Sequence, residues 1–467
     1  MPDALTLLLP KLAVLAFVFA FGACIGSLVN VLVYRIPRGL GVVIPSSRCP
    51  SCGTRLSFRE NIPILGWLIL RGRCRHCDAP ISPEYPIVET IVALLFGAIY
   101  TLWYIVEPGA HILGIPIGAI APEWAHNGAS ETWPALVVLL VLMGSLVAMT
   151  IIDARTFTIP LALTWVPALV ALVFHGAHGI WFSVTRGRPI ELAPGQWRFE
   201  HGFGTWDSAP GWLWTIPTPA PGDWSLIGLI AGGALGLLIA NALLAAGLVS
   251  RSFGDYDQWL ESRRDVPVDG AAGDSGAKES ASPAHDWIQY PHARREMVRE
   301  LAFLSPSILL AMGGAWLAPR LVTWIHGPWA FDPSRGAMTA PAEAPLWVLV
   351  LAGVVGGYLI GGAVVWGVRI LGSLAFNKEA MGLGDVHLMA CVGACLGWID
   401  ATVAFFLAAF VALGIALAGA ISRASIARAM PYGPSLAIAT VLVVFAKPLV
   451  ERGLGMMFAM QGPYAIP

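Results

Sequence analysis

The stretch PALVVLLVLMGSLVAMTIID, residues 134–153, carries no charged side chain before its final aspartate. A helix of about 20 such residues is long enough to cross the hydrocarbon core of a bilayer, where each backbone amide must be satisfied within the helix. A carboxylate at the edge of the hydrocarbon is costly, so it is a candidate functional group by default. The stretch therefore predicts a membrane helix that ends at a functional candidate, Asp153.

Similar apolar stretches recur along the whole chain, which is 57% hydrophobic and only 12% charged. Soluble domains are about 25% charged, so this chain has too little charge to cover a soluble surface. We predict an all-α polytopic membrane protein with about 8–10 transmembrane helices. The N-terminal stretch runs to Tyr34 without a convincing cleavage site, which predicts a retained span rather than a removed signal. The predicted spans are residues 11–34, 86–106, 134–152, 157–177, 225–249, 302–325, 346–371, 386–398, 401–421 and 434–450.

The distribution of arginine predicts how these spans are oriented. The formal net charge of the chain is only −1, which gives no support for a nucleic-acid partner. The loop after the first span is rich in arginine, whereas residues 107–133 contain no Lys or Arg. By the positive-inside rule, the first loop lies in the cytoplasm and residues 107–133 lie outside. The arginines of the first loop are Arg35, Arg38, Arg48, Arg55, Arg59, Arg71, Arg73 and Arg75.

Two C-x-x-C motifs lie in this predicted cytoplasmic loop. Cys49 and Cys52 form one pair, Cys74 and Cys77 form the other, and 21 residues separate the pairs. Four thiolates at this spacing can surround Zn²⁺ tetrahedrally, and a site with four sulfur ligands is structural because no coordination position stays open. Disulfides are the alternative, although the cytoplasm keeps thiols reduced. The loop is therefore predicted to be a small zinc-ribbon-like cytoplasmic domain.

A second acidic residue, Asp385, closes the motif Gly-Leu-Gly-Asp at residues 382–385. The predicted topology places it on the same side as Asp153, where two nearby carboxylates would share one proton. One would then act as general base and the other as general acid, as amide hydrolysis by water requires. Gly382 and Gly384 would let a substrate backbone approach closely. The alternative is that each aspartate merely caps a helix through free backbone amides.

These motifs together resemble the prepilin peptidases, also called type IV leader peptidases. The G-x-G-D motif, Asp153 at the end of a span, and the two cysteine pairs all match, and the resemblance covers about residues 15–178 and 345–450. Further matching segments are residues 22–37, 60–67, 71–74, 81–89 and the closing motif Met-Pro-Tyr-Gly-Pro at 430–434.

The resemblance implies an intramembrane GxGD aspartic protease of the bacterial inner membrane. Such enzymes remove the short basic leader of prepilins or type II secretion pseudopilins after a glycine, at the cytoplasmic face. It implies that Asp153 and Asp385 are the catalytic pair. The retained cysteine loop implies N-methylation of the new terminus with S-adenosylmethionine as a second activity, and the expected partners are the substrates, membrane lipid and pilus or secretion assembly components.

The acidic residues Glu60, Glu84 and Glu89 lie among the loop arginines. They are candidates to meet the basic leader of the substrate, and the alternative is that they only balance the nearby arginines.

The chain departs from the family by an insert at residues 179–344, which separates the two aspartates. The insert is predicted to contain a Trp-rich external loop at 178–223 and a charged cytoplasmic loop at 251–300. A different class of function stays open: a zinc-stabilised membrane transporter that uses Asp153 and Asp385 for proton or cation coupling. The predicted regions are 11–34 (first helix), 35–85 (zinc loop), 86–178 (helices up to the first aspartate region), 179–344 (insert) and 345–450 (C-terminal helices).

Overall fold

The computed structural model describes most of the chain. The described residues are 4–44, 46–111, 117–122, 125–126, 128–187, 189–193, 196–199, 224–255, 258–259, 291–332, 337–339, 341–342, 344–421, 431–446, 449 and 453.

Helices dominate this part of the chain. They are α1 (Ala4–Arg35), α2 (Leu65–Ile69), α3 (Glu84–Tyr100), α4 (Ala129–Thr156), α5 (Leu161–Thr185), α6 (Trp224–Ala245), α7 (Ala293–His326), α8 (Leu346–Phe376), α9 (Leu383–Leu396), α10 (Trp398–Ile421) and α11 (Gly433–Phe445). The strands form two antiparallel hairpins, in which β1 (Pro189–Ala193) pairs with β2 (Gln196–Phe199) and β3 (Ala330–Asp332) pairs with β4 (Ala337–Thr339).

Eight helices in the described residues are long and apolar enough to cross a membrane: α1, α3, α4, α5, α6, α7, α8 and α10. The apolar helices α9 and α11 have only 14 and 13 residues. At about 1.5 Å per residue they are shorter than the roughly 30 Å hydrocarbon core. The predicted polytopic all-α membrane fold is confirmed, and each predicted span coincides with a helix, although two of these helices are short.

The first of two compact units contains Met1–Thr218, Ala344–Gly362 and His387–Pro467. In it, α1 packs along α3, and α4 packs against α1, α5 and α11. Small residues permit the close approach of helices: a Cβ added to Gly26 of α1 would lie 2.5 Å from the Cα atom of Glu89 in α3. The apolar spans of this unit therefore pack against each other as well as facing lipid.

The second compact unit contains Pro219–Glu343 and Ala363–Val386. Its main feature is a helical hairpin of α6 and α7. Gly228, Gly232 and Gly236 recur every four residues on α6, and a Cβ on any of them would overlap the backbone of α7. This small-residue stripe lets the two helix backbones touch. The unit thus holds most of the predicted insert together with residues 363–386.

The predicted loops of the insert are partly wrong at their ends. The loop predicted at 178–223 begins later, because α5 continues to Thr185 and places Trp181 on the helix. The helix continues because Gly176 and Gly179 pack against Leu351 and Trp347 of α8 instead of ending it. Trp197 lies in β2. Trp206, Trp212 and Trp214 lie outside the described residues, so the predicted aromatic belt stays a prediction.

The charged loop predicted at 251–300 ends earlier than expected. Helix α7 already begins at Ala293, where Ala293 and Met297 are buried against Phe253. Burial of this apolar face stabilises the first turns of the helix, although the surrounding residues are charged. Residues 260–290, which include the predicted flexible core, lie outside the described residues.

Candidate active site and metal-binding loop

The four predicted metal ligands come together in the structure. The Sγ atoms of Cys49, Cys52, Cys74 and Cys77 all lie within 4.8 Å of one another. The Sγ atoms of Cys49 and Cys77 are 3.8 Å apart. A tetrahedral Zn²⁺ with Zn–S bonds of about 2.3 Å requires sulfur–sulfur distances of roughly 3.8 Å. The donor set and its spacing therefore fit a metal ion such as Zn²⁺.

Each cysteine pair is shaped by the same backbone pattern. The N–H of Cys49 donates to the carbonyl of Thr54, and the N–H of Cys74 donates to the carbonyl of Ala79. The residue after each pair has a positive φ, 70° at Gly53 and 52° at Asp78. These turns direct both sulfur atoms of a pair toward the same point. The two pairs are thus repeated knuckles.

The thiol groups differ in how readily they ionise. The hydroxyl and the backbone N–H of Thr54 lower the pKa of Cys52 to about 6. The backbone N–H of Ala79 favours the thiolate of Cys77, but desolvation and the neighbouring sulfur atoms raise its pKa to about 12. Like charges repel in such a cluster, so the four thiolates require a cation to ionise together.

Glu89 ties the metal-binding loop to α3. Its side chain is buried, and Oε2 accepts a hydrogen bond of 2.6 Å from the N–H of Ile64. Ile64 has a φ of 62°, which is strained for a β-branched residue. The carboxylate therefore holds a strained turn in place. This position does not fit the prediction that Glu89 meets a substrate leader.

The other two predicted leader-binding glutamates also have partners within the protein. Glu60 accepts hydrogen bonds of 2.8 Å from the N–H and the hydroxyl of Ser57, and its side chain is only 6% exposed. Glu84 forms an exposed ion pair with Arg155. For these residues the structure favours the alternative, in which the acidic groups pair with neighbouring groups of the protein.

Asp153 lies in the last turn of α4 and is only 5% exposed. The helix ends because Phe157 adopts a φ of 54° and its N–H returns to the carbonyl of Asp153. The Oδ2 atom of Asp153 accepts a hydrogen bond of 3.1 Å from the N–H of Gly433, the first residue of α11. The carboxylate is thereby fixed at the positive end of a second helix.

Asp385 lies in the first turn of α9 and is 9% exposed. Its N–H donates to the carbonyl of Gly382 at 3.2 Å, so the G-x-G-D motif forms a tight turn into the helix. A Cβ added to Gly382 would lie 3.8 Å from Oδ2 of Asp385, at van der Waals contact, so Gly382 lies directly beside the carboxylate. Asp153 belongs to the first compact unit and Asp385 to the second.

Some partners of these residues were not predicted from the sequence. No local sequence pattern indicates that Gly433 donates a hydrogen bond to Asp153, although Gly433 lies in the matched Met-Pro-Tyr-Gly-Pro motif. The buried arginine Arg369 bonds the carbonyl of Met381, directly before the G-x-G-D motif. A lone arginine inside a predicted span is the signal that could have singled it out.

Comparison with known proteins adds independent information. Residues 20–103 match the family model described as the Bacterial Peptidase A24 N-terminal domain. The chain is 38% identical over 155 residues to a prepilin leader peptidase/N-methyltransferase of Myxococcus xanthus strain DK1622, covering 33% of the chain and 38% of that protein. A protein of the same name from Klebsiella pneumoniae is 33% identical over 167 residues, which cover 34% of the chain and 61% of the relative. No solved structure matches the chain.

The matches cover less than two thirds of the length of these two relatives. A longer match, 29% identical over 229 residues, covers 75% of the prepilin leader peptidase/N-methyltransferase of Dickeya chrysanthemi and 42% of the chain. The matched family segment contains the second half of α1, the four cysteines and α3. By this match and these relatives, the chain is similar to the prepilin leader peptidases over part of its length.

Proposed function

We propose that the protein is a membrane aspartic endopeptidase that removes the leader peptide of type IV prepilins or type II secretion pseudopilins. The names of its relatives support a leader-peptidase activity. The observation that carries the proposal is the fixed carboxylate of Asp153, which ends an apolar span and is held by the N–H of Gly433. Asp385, in the first turn of α9, is the proposed second carboxylate.

In the proposed mechanism, one of the two aspartates is ionised and the other is protonated. The ionised carboxylate removes a proton from water as the water oxygen attacks the scissile carbonyl carbon. The protonated carboxyl donates its proton to the carbonyl oxygen, which gives a neutral tetrahedral intermediate. The carbon–nitrogen bond then breaks, the leaving amine takes the proton from the first aspartate, and the second aspartate recovers its own proton as the carbonyl re-forms.

The site suits a substrate that is already in the membrane. A prepilin carries a basic leader before an apolar helix, so its cleavage site, after a glycine, would lie at the membrane surface. Asp153 closes an apolar span, which is where such a site would arrive. Gly382 and Gly384 present no side chain to an unwound substrate strand. We propose that this face is cytoplasmic and the membrane the bacterial inner membrane, where pilus or secretion assembly components would be neighbours.

The peptidase proposal is tested by replacing each aspartate with its amide. Asp153→Asn and Asp385→Asn should each reduce prepilin cleavage in purified membranes by about 10²–10⁴-fold, because an amide cannot act as base or acid. Glu107→Gln makes the same chemical change at an exposed loop residue and should cleave normally. Normal cleavage by both aspartate variants would overturn the peptidase proposal and favour the transporter alternative.

We further propose that the cysteine cluster binds structural Zn²⁺ and that the protein methylates the new N-terminus with S-adenosylmethionine. The four-sulfur geometry supports the metal, and the name of the relatives includes N-methyltransferase. Metal analysis should give about one zinc per chain, and much less in Cys52→Ser. Methyl transfer to pre-cleaved pilin tests the second activity directly, and its absence in the zinc-loaded wild type would contradict it.

A further inference from the structure

A buried cluster of charged side chains lies in the second compact unit and joins the insert to the loop before Asp385. Its centre is the ion pair between Glu300 of α7 and Arg369 of α8. The side chain of Arg369 is 1% exposed and that of Glu300 is 2% exposed. Groups buried so completely are retained only with partners, because removal of a charge from water is costly.

Glu300 has a hydrogen-bond partner at each oxygen. Oε1 accepts from Nε of Arg369 at 2.9 Å and from the hydroxyl of Ser252 at 2.8 Å. Oε2 accepts from Nε1 of Trp366 at 2.8 Å. The indole of Trp366 is itself stacked on Phe303, with ring centroids 5.5 Å apart. These contacts allow the carboxylate a single orientation.

Arg369, held by Glu300, also binds the loop that precedes the G-x-G-D motif. Its Nη1 atom donates to Oε1 of Glu379 at 2.6 Å and also bonds the backbone carbonyl of Met381. Its guanidinium lies over the ring of Phe253, 5.2 Å from the ring centroid. The planar guanidinium can hold a carboxylate and a carbonyl in fixed directions at once.

One turn further along α8, Ser373 holds the same loop. Its hydroxyl, which is fully buried, accepts a hydrogen bond of 3.1 Å from the N–H of Ala380. Gly372 allows this approach, since a Cβ there would lie 2.7 Å from the Cβ of Ala380. The loop between α8 and α9 is therefore fixed at two successive backbone groups, Ala380 N–H and Met381 carbonyl.

We propose that Glu300 is a positioning residue through which the insert holds the loop that leads into the G-x-G-D motif and Asp385. It touches no reacting atom in the proposed reaction, and it acts by fixing Arg369, which in turn fixes Met381. The inference rests on the proposed peptidase function for its effect on catalysis. It gives residues 179–344 a role, because α7 supplies the carboxylate that neutralises the loop-binding arginine.

Hydrogen–deuterium exchange of the full chain in lipid nanodiscs tests the positioning directly. Glu300→Gln keeps the shape of the side chain but removes its charge, and amides of residues 377–385 should exchange about tenfold faster. Trp366→Phe keeps the aromatic contact but loses the hydrogen bond to Glu300, and a smaller increase at the same residues is expected. Arg320→Gln changes an exposed residue of α7, the helix that contains Glu300. This variant is the control and should match the wild type.

Cleavage kinetics give the second measurement. Glu300→Gln should lower kcat about tenfold and leave KM nearly unchanged, because the loop is displaced while substrate binding is retained. Arg369→Met should have a similar effect, and the double variant should be little worse than either single variant, because both act through one contact. If the free-energy losses calculated from kcat were additive in the double variant, Glu300 and Arg369 would not act through one contact.

The outcomes separate this inference from the proposed function. Unchanged exchange at residues 377–385 in Glu300→Gln and Trp366→Phe would overturn the positioning role, whatever the activity. A uniform increase in exchange over both units would also overturn it, since Glu300 would then act only on global stability. If the wild type cleaves no prepilin, the proposed function fails while the exchange result stands.

Discussion

The hydrogen bond between Asp153 and Gly433 leaves no room for a side chain at residue 433. A Cβ built on Gly433 would overlap Oδ2 of Asp153 and would lie 3.3 Å from Ile159. Gly433→Ala should therefore displace the carboxylate and reduce prepilin cleavage about 100-fold, the loss expected for a shift of about 1 Å in a catalytic group. Steady-state cleavage of a prepilin in membranes measures this effect.

Gly414→Ala provides the matched control for this prediction. Gly414 is also a glycine of a membrane helix, and a Cβ there would meet nothing within 4 Å. The control should cleave prepilin as the wild type does. If Gly433→Ala also retained full activity, the contact with Gly433 would not be what orients Asp153.

At the residue scale, the sequence revealed ligands and candidate acids but not their partners. Asp153 and the four cysteines could be found because each interrupts or repeats a local pattern. The donor to Asp153 lies 280 residues away in the chain. Contacts of this separation depend on which helices pack together, and local periodicity carries no information about that.

Among the elements, the metal-binding loop has a built-in pH dependence at Glu60. The N–H and hydroxyl of Ser57 lower the pKa of Glu60 below 4.5, with smaller contributions from His76 and Arg75. A lowered pKa means that the ionised carboxylate stabilises the folded loop. This stabilisation is fully present above about pH 4.5 and is lost as the pH falls through the lower pKa of the folded protein.

Glu60→Gln should consequently weaken the loop at neutral pH but not in acid. We expect zinc release to a chelator to be several-fold faster in the variant at pH 7. The two proteins should converge as the pH falls well below 4.5, because the wild-type carboxylate is then protonated and, like the glutamine, carries no charge. Glu84→Gln, which alters only an exposed ion pair, should follow the wild-type curve. A constant difference between wild type and Glu60→Gln across the whole pH range would contradict the assignment.

The element boundaries in the insert show where pattern reading is weakest. The loops predicted at 178–223 and 251–300 were each too long, because α5 continues through its glycines and α7 starts among charged residues. In both places tertiary packing extends a helix. Gly176 and Gly179 contact α8, and the first turns of α7 bury Ala293 and Met297.

For the whole molecule, composition was enough to predict the fold class but not the division into units. Eight apolar helices in the described residues follow directly from long uncharged segments, since only helices satisfy the backbone in lipid. The grouping of residues 363–386 with the insert could not be predicted. Within this unit, the buried contact of Arg369 with Glu300 joins segments that the sequence motifs assign to different regions.

Membrane orientation is the prediction that belongs to the whole molecule. The arginine-rich loop after α1 is predicted to be cytoplasmic and the loop before α4 external. Val43 is 85% exposed in the first loop, and a Cβ added to Gly109 in the second would meet nothing within 4 Å, so both positions accept a cysteine. In intact cells, a membrane-impermeant maleimide should label Gly109→Cys and leave Val43→Cys unlabelled, and both should react after permeabilisation.

The chain without an added cysteine gives the background labelling. The reverse labelling would place the end of α4 that carries Asp153 outside the cell and would contradict cleavage at the cytoplasmic face.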